Sequence, residues 1–129
     1  MNLDSFSYLH IYYFIPQMNI VSYRLPTTTP NPSKHNDCGW VAIVDGVEVG
    51  WITMTFKPDN SIRFEDAFVH PDHRGKGIYR KLWDTRWEYV TANFKGMKIH
   101  AYCKPPSISL YKEKEFTIVE NVILVEKIA

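Results

Sequence analysis

The sequence predicts one α+β domain, built on a mixed sheet with one long crossover helix. Two β-rich runs, 40–44 and 47–56, flank an Asp-Gly dipeptide that is typical of a two-residue hairpin turn. A further β-prone run, 62–69, leads into residues 78–94, where apolar side chains recur at the spacing of an amphipathic helix. This order of elements favours a sheet with the crossover helix after its fourth strand.

The N-terminal part of the chain divides at Met18. Residues 1–17 are rich in aromatic side chains and carry one charged residue, Asp4. The stretch as a whole is nevertheless too polar for a membrane span, and it lacks the basic segment of a signal peptide. Met18 begins a β-rich run that we expect to be the first strand. We therefore expect an N-terminal extension, 1–17, followed by a single domain, 18–129. A Pro-rich loop, 26–37, should follow the first strand.

The C-terminal part predicts a strand, a short helix and closing strands. Residues 97–103 are β-prone and are followed by two prolines that end the strand. Ser107 is a suitable N-cap for a short helix over 108–114. Residues 116–128 are again β-rich and predict one or two closing strands.

Composition limits the class of function. The 129 residues are 45% hydrophobic and 22% charged with a formal net charge of +1, which is typical of a soluble protein and gives no reason to expect nucleic acid or membrane as partner. Cys38 and Cys103 form no C-x-x-C pair, so we expect a reduced, cytoplasmic protein. The five histidines lack the spacing of metal ligands, and we expect no metal site.

The turn between the fourth strand and the long helix combines two glycines with two basic residues. Gly75 and Gly77 let an anion approach the unpaired N–H groups of the helix N-terminus, and Arg74 and Lys76 add positive charge. The pattern is neither G-x-x-x-x-G-K-[ST] nor G-x-G-x-x-G, because Arg80 stands where the latter needs its third glycine. The residues alone predict an anion site suited to a pyrophosphate.

Residues 74–79, preceded by Val-His-Pro-Asp at 69–72, resemble the coenzyme A loop of the GNAT family of N-acetyltransferases, R/Q-x-x-G-x-G/A. The resemblance implies the GNAT fold and acetyl-CoA as acetyl donor. It also implies a primary amine on a small molecule or protein as acceptor, and suggests a homodimer. The cofactor-binding residues that it implies are Phe68, Val69, Arg74, Gly75, Lys76, Gly77, Ile78 and Tyr79.

Two further segments resemble the family and supply its proton-transfer groups. The run Phe-Glu-Asp-Ala-Phe-Val at 64–69 is similar to that of polyamine-type members, which implies that Glu65 is the base. Because Glu65 and Asp66 are adjacent on a strand, we expect them on opposite faces, with only one in the site. The run Pro-Ser-Ile-Ser-Leu-Tyr-Lys at 106–112 resembles the segment whose tyrosine protonates the coenzyme A sulfur, which makes Tyr111 the predicted acid.

The chain departs from the family pattern at several positions. Tyr79 stands where the family has Gly or Ala, Lys104 where it often has Asn, and Glu115 where it has Gly. The helix pair that usually follows the first strand is reduced or missing, since only the Pro-rich loop occupies that place. The sequence thus supports direct acetyl transfer in a ternary complex. The alternative is an inactive module of the same fold that binds a protein partner, or coenzyme A without turnover.

Overall fold

The computed structural model describes residues 17–26, 37–120 and 125–128. A five-stranded sheet with strand order β1-β2-β3-β4-β5 forms one layer, and a long helix covers one of its faces. The strands are β1 (Met18–Tyr23), β2 (Asp37–Val44), β3 (Val47–Phe56), β4 (Ile62–Val69) and β5 (Ile99–Ala101). The helices are α1 (Ile78–Asn93) and α2 (Ile108–Glu113), with 3₁₀ turns at Pro71–His73 and Pro105–Ser107.

The sheet is antiparallel from β1 to β4 and parallel between β4 and β5, with α1 as the crossover between the parallel strands. The β2–β3 hairpin closes at Val44 opposite Val47. Asp45 and Gly46 both adopt left-handed backbone angles, with φ of 48° and 79°, as a two-residue hairpin turn requires. The predicted mixed sheet, hairpin and crossover helix are confirmed.

The core lies between α1 and one face of the sheet. Leu82, Trp83 and Val90 on the helix are fully buried against apolar side chains that alternate along β3 and β4. This alternation is the period of a strand with one buried face, and the helix supplies the matching stripe at spacings of three to four. The α1 helix is thereby fixed across the sheet with its N-terminus beside the end of β4.

The β3–β4 ladder contains an irregularity next to the end of β5. Ile52 pairs with Ala67 and Met54 pairs with Phe64, so Thr53 alone faces the two β4 residues between them. A β-bulge of this kind bends its strand and changes the direction of the side chains. The parallel β4–β5 ladder stops at Phe64 opposite Ala101, beside this bulge. The two strands therefore separate.

The C-terminal strands that we predicted are wrong for the described residues. Residues 116–120 and 125–128 adopt no strand, and residues 121–124 lie outside the described residues. Val119 and Val125 are 92% and 84% exposed. A β-prone sequence forms a strand only where a neighbour offers hydrogen bonds and a surface for packing. The strand predicted over 97–103 is also shorter, Ile99–Ala101, because β4 turns away from it.

The connection between the first two strands, the cap of α2 and the length of the helices were also predicted from the sequence. The connection from β1 to β2 comprises only residues 24–36, of which 27–36 lie outside the described residues, as do residues 1–16 of the N-terminal extension. Ser107 does not cap α2 through its side chain. Within the described ranges no helix is long and apolar enough to cross a membrane.

We expect Leu82→Ala to lower the free energy of unfolding by about 3 kcal/mol, because it leaves a cavity where a fully buried side chain packs. Lys81→Ala is the matched control, since the neighbouring lysine is exposed and alanine is an equally good helix former. Urea denaturation followed by circular dichroism measures both. Equal losses for the two variants would contradict the described packing of α1.

Candidate functional site

The separation of β4 from β5 opens a cleft between the two strands, beside α1 and α2. The cleft is floored by the first turns of α1 and by α2, and its walls are the second half of β4 and the residues after β5. Its lining residues are Glu65, Asp66, Ala67, Tyr79, Arg86, Tyr102, Cys103, Lys104, Ser107 and Tyr111. Both of the predicted proton-transfer residues, Glu65 and Tyr111, thus line one cleft.

The loop after β4 has a fixed backbone. His70 accepts a hydrogen bond at Nδ1 from the backbone N–H of Asp72, at 3.2 Å, which starts the 3₁₀ turn. Arg74 ends this turn and donates from Nε to the carbonyl of Val69, at 2.8 Å. Its guanidinium also lies 5.7 Å from the centre of the Phe68 ring. Arg74 therefore ties the loop to the end of β4.

Gly75 and Gly77 both adopt left-handed conformations, with φ of 75° and 80°. A Cβ at either position would meet no atom within 4 Å, so the space beside both glycines is open. Gly77 is the N-cap of α1 and offers no side-chain cap, and the first turn holds no acidic residue. The N–H groups of this turn and the exposed Lys76 remain available to a bound anion.

The other predicted cofactor-binding positions differ in whether the backbone or the side chain is accessible to a ligand. Val69 and Ile78 are buried, so only their backbone is available. Phe68 is half exposed and stacks on Trp51 with ring centres 4.7 Å apart. The β4 edge from Glu65 to Val69 has no strand partner on the β5 side within the described ranges, which leaves backbone groups free there.

Tyr79 lines the cleft and lies outside the 4 Å around a Cβ at Gly75 or Gly77. Its hydroxyl lies 3.1 Å from the hydroxyl of Ser107, and its ring is half buried against the core. This hydrogen bond joins the first turn of α1 to the residue preceding α2. The side chain that departs from the family pattern is therefore part of the cleft wall.

Glu65 and Asp66 both line the cleft, so the expectation that only one of them lies at the site is wrong. The strand does not alternate here because the two residues form the bulge opposite Thr53. Thr53 donates a hydrogen bond from Oγ1 to the carbonyl of Asp66, at 3.3 Å. Glu65 lies 3.9 Å from the guanidinium of Arg63. Asp66 is exposed. Two acidic residues thus line the same cleft.

Tyr111 is held by aromatic neighbours. Its ring meets Trp83 and Phe116 edge to face, with centres 5.5 and 5.1 Å apart. Phe116 reaches this position through a tight turn in which Glu115 adopts a left-handed φ of 64° where the family has Gly. Burial raises the pKa of Tyr111 above its ordinary value, and the charge of Arg86 acts in the opposite direction.

Arg86 is the residue of the cleft that the sequence analysis missed. It is 1% exposed, donates from Nη1 to the carbonyl of Thr53 at 3.0 Å, and lies 3.8 Å from the centre of the Phe64 ring. The signal was available, because Arg86 stands midway between Leu82 and Val90 on the apolar stripe of α1. A charged residue at the centre of a buried face is rare and informative.

The remaining cleft residues bear on cofactor and metal. Lys104 follows β5 and lines the cleft, where it adds positive charge close to Tyr111 and Ser107. Cys103 is exposed and is a free cysteine. Among the described residues, no group of three or more His, Cys, Asp or Glu side chains is placed to hold a metal ion.

Several solved structures have a similar architecture. The structure is similar to the aminoglycoside N-acetyltransferase AAC(6')-Iy bound to a coenzyme A bisubstrate analogue, with TM-score 0.58, 18% identity and coverage of 88% of this chain and 99% of that one. For ElaA of Escherichia coli the TM-score is 0.62 and the identity 13%, over 70% of this chain and 62% of that one. For a ribosomal-protein-alanine N-acetyltransferase of Brucella melitensis the TM-score is 0.52 and the identity 22%, over 71% of each chain.

No curated protein matches the sequence significantly. A family model, described as an acetyltransferase (GNAT) domain, matches residues 35–118. These residues include β2 to β5, α1, α2 and the whole cleft, and they are well over half of the 129 residues. The chain belongs to the GNAT family of acetyltransferases.

Proposed function

We propose that the protein transfers the acetyl group of acetyl-CoA directly to a primary amine in a ternary complex. The observation that carries this proposal is the joint placement of Tyr111 and Glu65 in one cleft that begins beside an open, glycine-lined helix N-terminus. A cofactor held by its pyrophosphate at that terminus can extend its thioester between β4 and β5. We assign the activity to residues 18–129, with 1–17 as an extension, and the location to the cytoplasm.

The cofactor is held by backbone groups. The N–H groups of residues 74–79 hold the pyrophosphate, and Lys76 adds a positive charge. Backbone N–H at Val69, on the free edge of β4, donates to the thioester carbonyl oxygen where negative charge develops. The N–H of Phe68 faces β3, because N–H groups alternate along a strand and that of His70 donates to Val49 on β3. Acetyl-CoA supplies the activated acetyl group; every other requirement is met by this chain.

Two side chains move protons. Glu65 accepts the proton that the acceptor ammonium loses before its nitrogen attacks. Tyr111 donates its hydroxyl proton to the departing sulfur. The two groups sit on different elements, one on β4 and one on α2, so that the reacting carbonyl can lie between them.

The acceptor that fits the cleft is a small cationic amine. Glu65 and Asp66 place two carboxylates at its wall, and the exposed ring of Tyr102 offers a further contact surface. Two neighbours of similar fold are described as aminoglycoside acetyltransferases, one of them in complex with sisomicin. A protein amine is the other acceptor class.

A catalytically silent module of the same fold is the second candidate. It is favoured by Tyr79, whose hydrogen bond with Ser107 occupies space in the cleft that the family pattern leaves open. Such a module would bind coenzyme A or a protein partner without turnover.

Acetyl-CoA and coenzyme A should each raise the melting temperature, whereas ATP should not, because the loop and the β4 edge together recognise the whole cofactor. A ligand at 100 times its dissociation constant stabilises by about 2.7 kcal/mol, which thermal unfolding detects easily. Gly77→Ala should raise the coenzyme concentration needed for the same stabilisation at least tenfold, because its Cβ enters the open space at the helix start.

Gly96→Ala is the matched control for that substitution. Gly96 has the same left-handed conformation, with φ of 83°, and open space around it, but it lies at the other end of α1. Both variants should lose similar intrinsic stability, and only Gly77→Ala should lose the response to the cofactor. No shift with either coenzyme for the wild type would refute cofactor binding at this loop.

Tyr111→Phe should lower kcat by at least 10²-fold, because it removes the proton donor while the ring packing on Trp83 and Phe116 remains. Tyr102→Phe is the control, since it removes a hydroxyl from the same cleft at an exposed position. The assay is thiol release with a panel of polyamines and aminoglycosides. Equal kcat values for wild type and Tyr111→Phe would exclude the acid role, and absence of turnover in every arm would favour the silent module.

Glu65→Gln should lower kcat by about 10²-fold at neutral pH, whereas Asp66→Asn should mainly raise KM for the amine, because its carboxylate attracts the cation without taking its proton. Both substitutions preserve shape and remove one negative charge, so each controls for the other. Steady-state kinetics with a single amine separates the two effects. The reverse pattern would make Asp66 the base.

A further inference from the structure

Arg86 is a buried cation without a carboxylate partner in the described part of the chain. Its side chain is 1% exposed, and no ion pair involving it forms among the described residues. Burial lowers the pKa of Arg86 to about 10, so the guanidinium remains charged at neutral pH. Burying an unpaired charge costs several kcal/mol, whereas Leu or Met would fill the same place in an apolar helix face.

Part of the guanidinium is accounted for by the sheet. The bulge opposite Thr53 interrupts the β3–β4 ladder, and Nη1 of Arg86 donates to the carbonyl of Thr53 at 3.0 Å. The planar group lies on the ring of Phe64, 3.8 Å from its centre, which is a favourable cation–π contact. These two contacts orient the side chain and leave its Nε without a partner in the described part of the chain.

The unpartnered donor lies beside the predicted acid. Arg86 and Tyr111 line the same cleft, and Trp83, whose buried Nε1 also has no hydrogen-bond partner among the described residues, packs on the Tyr111 ring. The charge of Arg86, and the hydrogen-bond donors of Arg86 and Trp83, act to lower the pKa of the Tyr111 hydroxyl. Two buried donors thus adjoin one phenol oxygen.

We propose that Arg86 is the positioning residue of the acid: its charge, with the indole N–H of Trp83, stabilises the tyrosinate that Tyr111 becomes when it gives its proton to the sulfur. This inference rests on the proposed function. The unpartnered donors of Arg86 and Trp83 would then stabilise the Tyr111 oxygen when it carries negative charge.

The proton balance shows why such a group is needed. As the amine nitrogen forms its bond to the carbonyl carbon, the carbon–sulfur bond breaks and sulfur keeps the electron pair. Before attack the ammonium gives one proton to Glu65, which passes it to water, and after attack the nitrogen gives its second proton to Glu65. Sulfur takes the hydroxyl proton of Tyr111 and the tyrosinate regains a proton from water, so that one proton is released in net terms for each acetyl group transferred. A thiol like that of cysteine has a pKa of roughly 8.5 and a phenol about 10. Burial raises the pKa of Tyr111 further, so a proton transfer from Tyr111 to such a thiolate is uphill without a stabilising cation.

Other charges in the cleft contribute to the field at Tyr111 and define the controls. Tyr79 on α1 raises the pKa of the Tyr111 hydroxyl. The remaining ionisable groups of the cleft are Glu65 and Asp66 on β4 and Tyr102, Cys103 and Lys104 after β5. The cleft contains two cations, of which Arg86 is buried and Lys104 is exposed. Solvent therefore screens the charge of Arg86 less than that of Lys104.

Titration of Tyr111 in the ligand-free protein tests the inference without any assay of turnover. The probe is the ¹³Cζ resonance of labelled tyrosine, assigned to Tyr111 by its loss in Tyr111→Phe. Arg86→Gln keeps a donor for the Thr53 carbonyl and removes the charge, and it should raise the midpoint by at least 1 pH unit. Arg86→Lys should restore at least half of the difference. An unchanged or lowered midpoint in Arg86→Gln would overturn the proposal.

A double-mutant cycle tests the same coupling in catalysis. Arg86→Gln should lower kcat by about 10- to 100-fold with little change in the KM for acetyl-CoA, and it should have no further effect in the Tyr111→Phe background. An equal loss in both backgrounds would show that Arg86 acts independently of Tyr111 and would refute the role. Lys104→Gln, which removes the exposed cation of the cleft, should leave the Tyr111 midpoint within about 0.3 pH unit of the wild type.

The two proposals fail separately. If Tyr111→Phe loses turnover and Arg86→Gln does not, the acetyl transfer stands and the role of Arg86 falls. If no amine is acetylated yet Arg86→Gln raises the Tyr111 midpoint, the electrostatic coupling stands and the proposed function falls. Arg86→Leu, which fills the apolar site, replaces Arg86→Gln in both experiments if the latter does not fold.

Discussion

The separation of β4 from β5 after three paired residues is the constraint on which the site depends. A sheet that stayed paired would present no cleft and no free β4 edge. The bulge opposite Thr53 accompanies this separation, places Glu65 and Asp66 on one wall, and interrupts the ladder at a carbonyl that Arg86 then satisfies. One irregularity in one ladder thus coincides with the proposed base, the cleft and the buried cation.

The second half of the site is held by α1 and α2 through few but specific contacts. Tyr79 and Ser107 join the helix starts by a hydroxyl pair, and Arg80 forms ion pairs with Asp84 and Glu113 on the outer surface. The exposed pairs contribute little to stability, but together with the aromatic contacts of Tyr111 they restrict where α2 can lie. The position of the proposed acid, Tyr111, therefore depends on α1, whose N-terminus follows the loop proposed to bind the cofactor.

The departures from the family pattern are compensated in the structure. Tyr79 replaces a small residue and becomes part of the cleft wall, and Glu115 adopts the left-handed conformation that the family gives to Gly. A non-glycine residue in that conformation costs on the order of 1 kcal/mol, and the turn it makes brings Phe116 onto Tyr111. The turn after α2 is thus made by a non-glycine residue, at some expense of backbone strain.

The sequence by itself determined the elements up to α2, the hairpin, the crossover helix and the anion-binding loop, because these follow from local periodicity, turn chemistry and glycine conformation. Only the tertiary structure decided the rest. It set the bulge that brings Glu65 and Asp66 to the same cleft, since strict alternation is the only rule a strand sequence carries. It also left 116–120 without a strand partner and placed Arg86 beside Tyr111, because pairing and burial depend on residues distant in the chain.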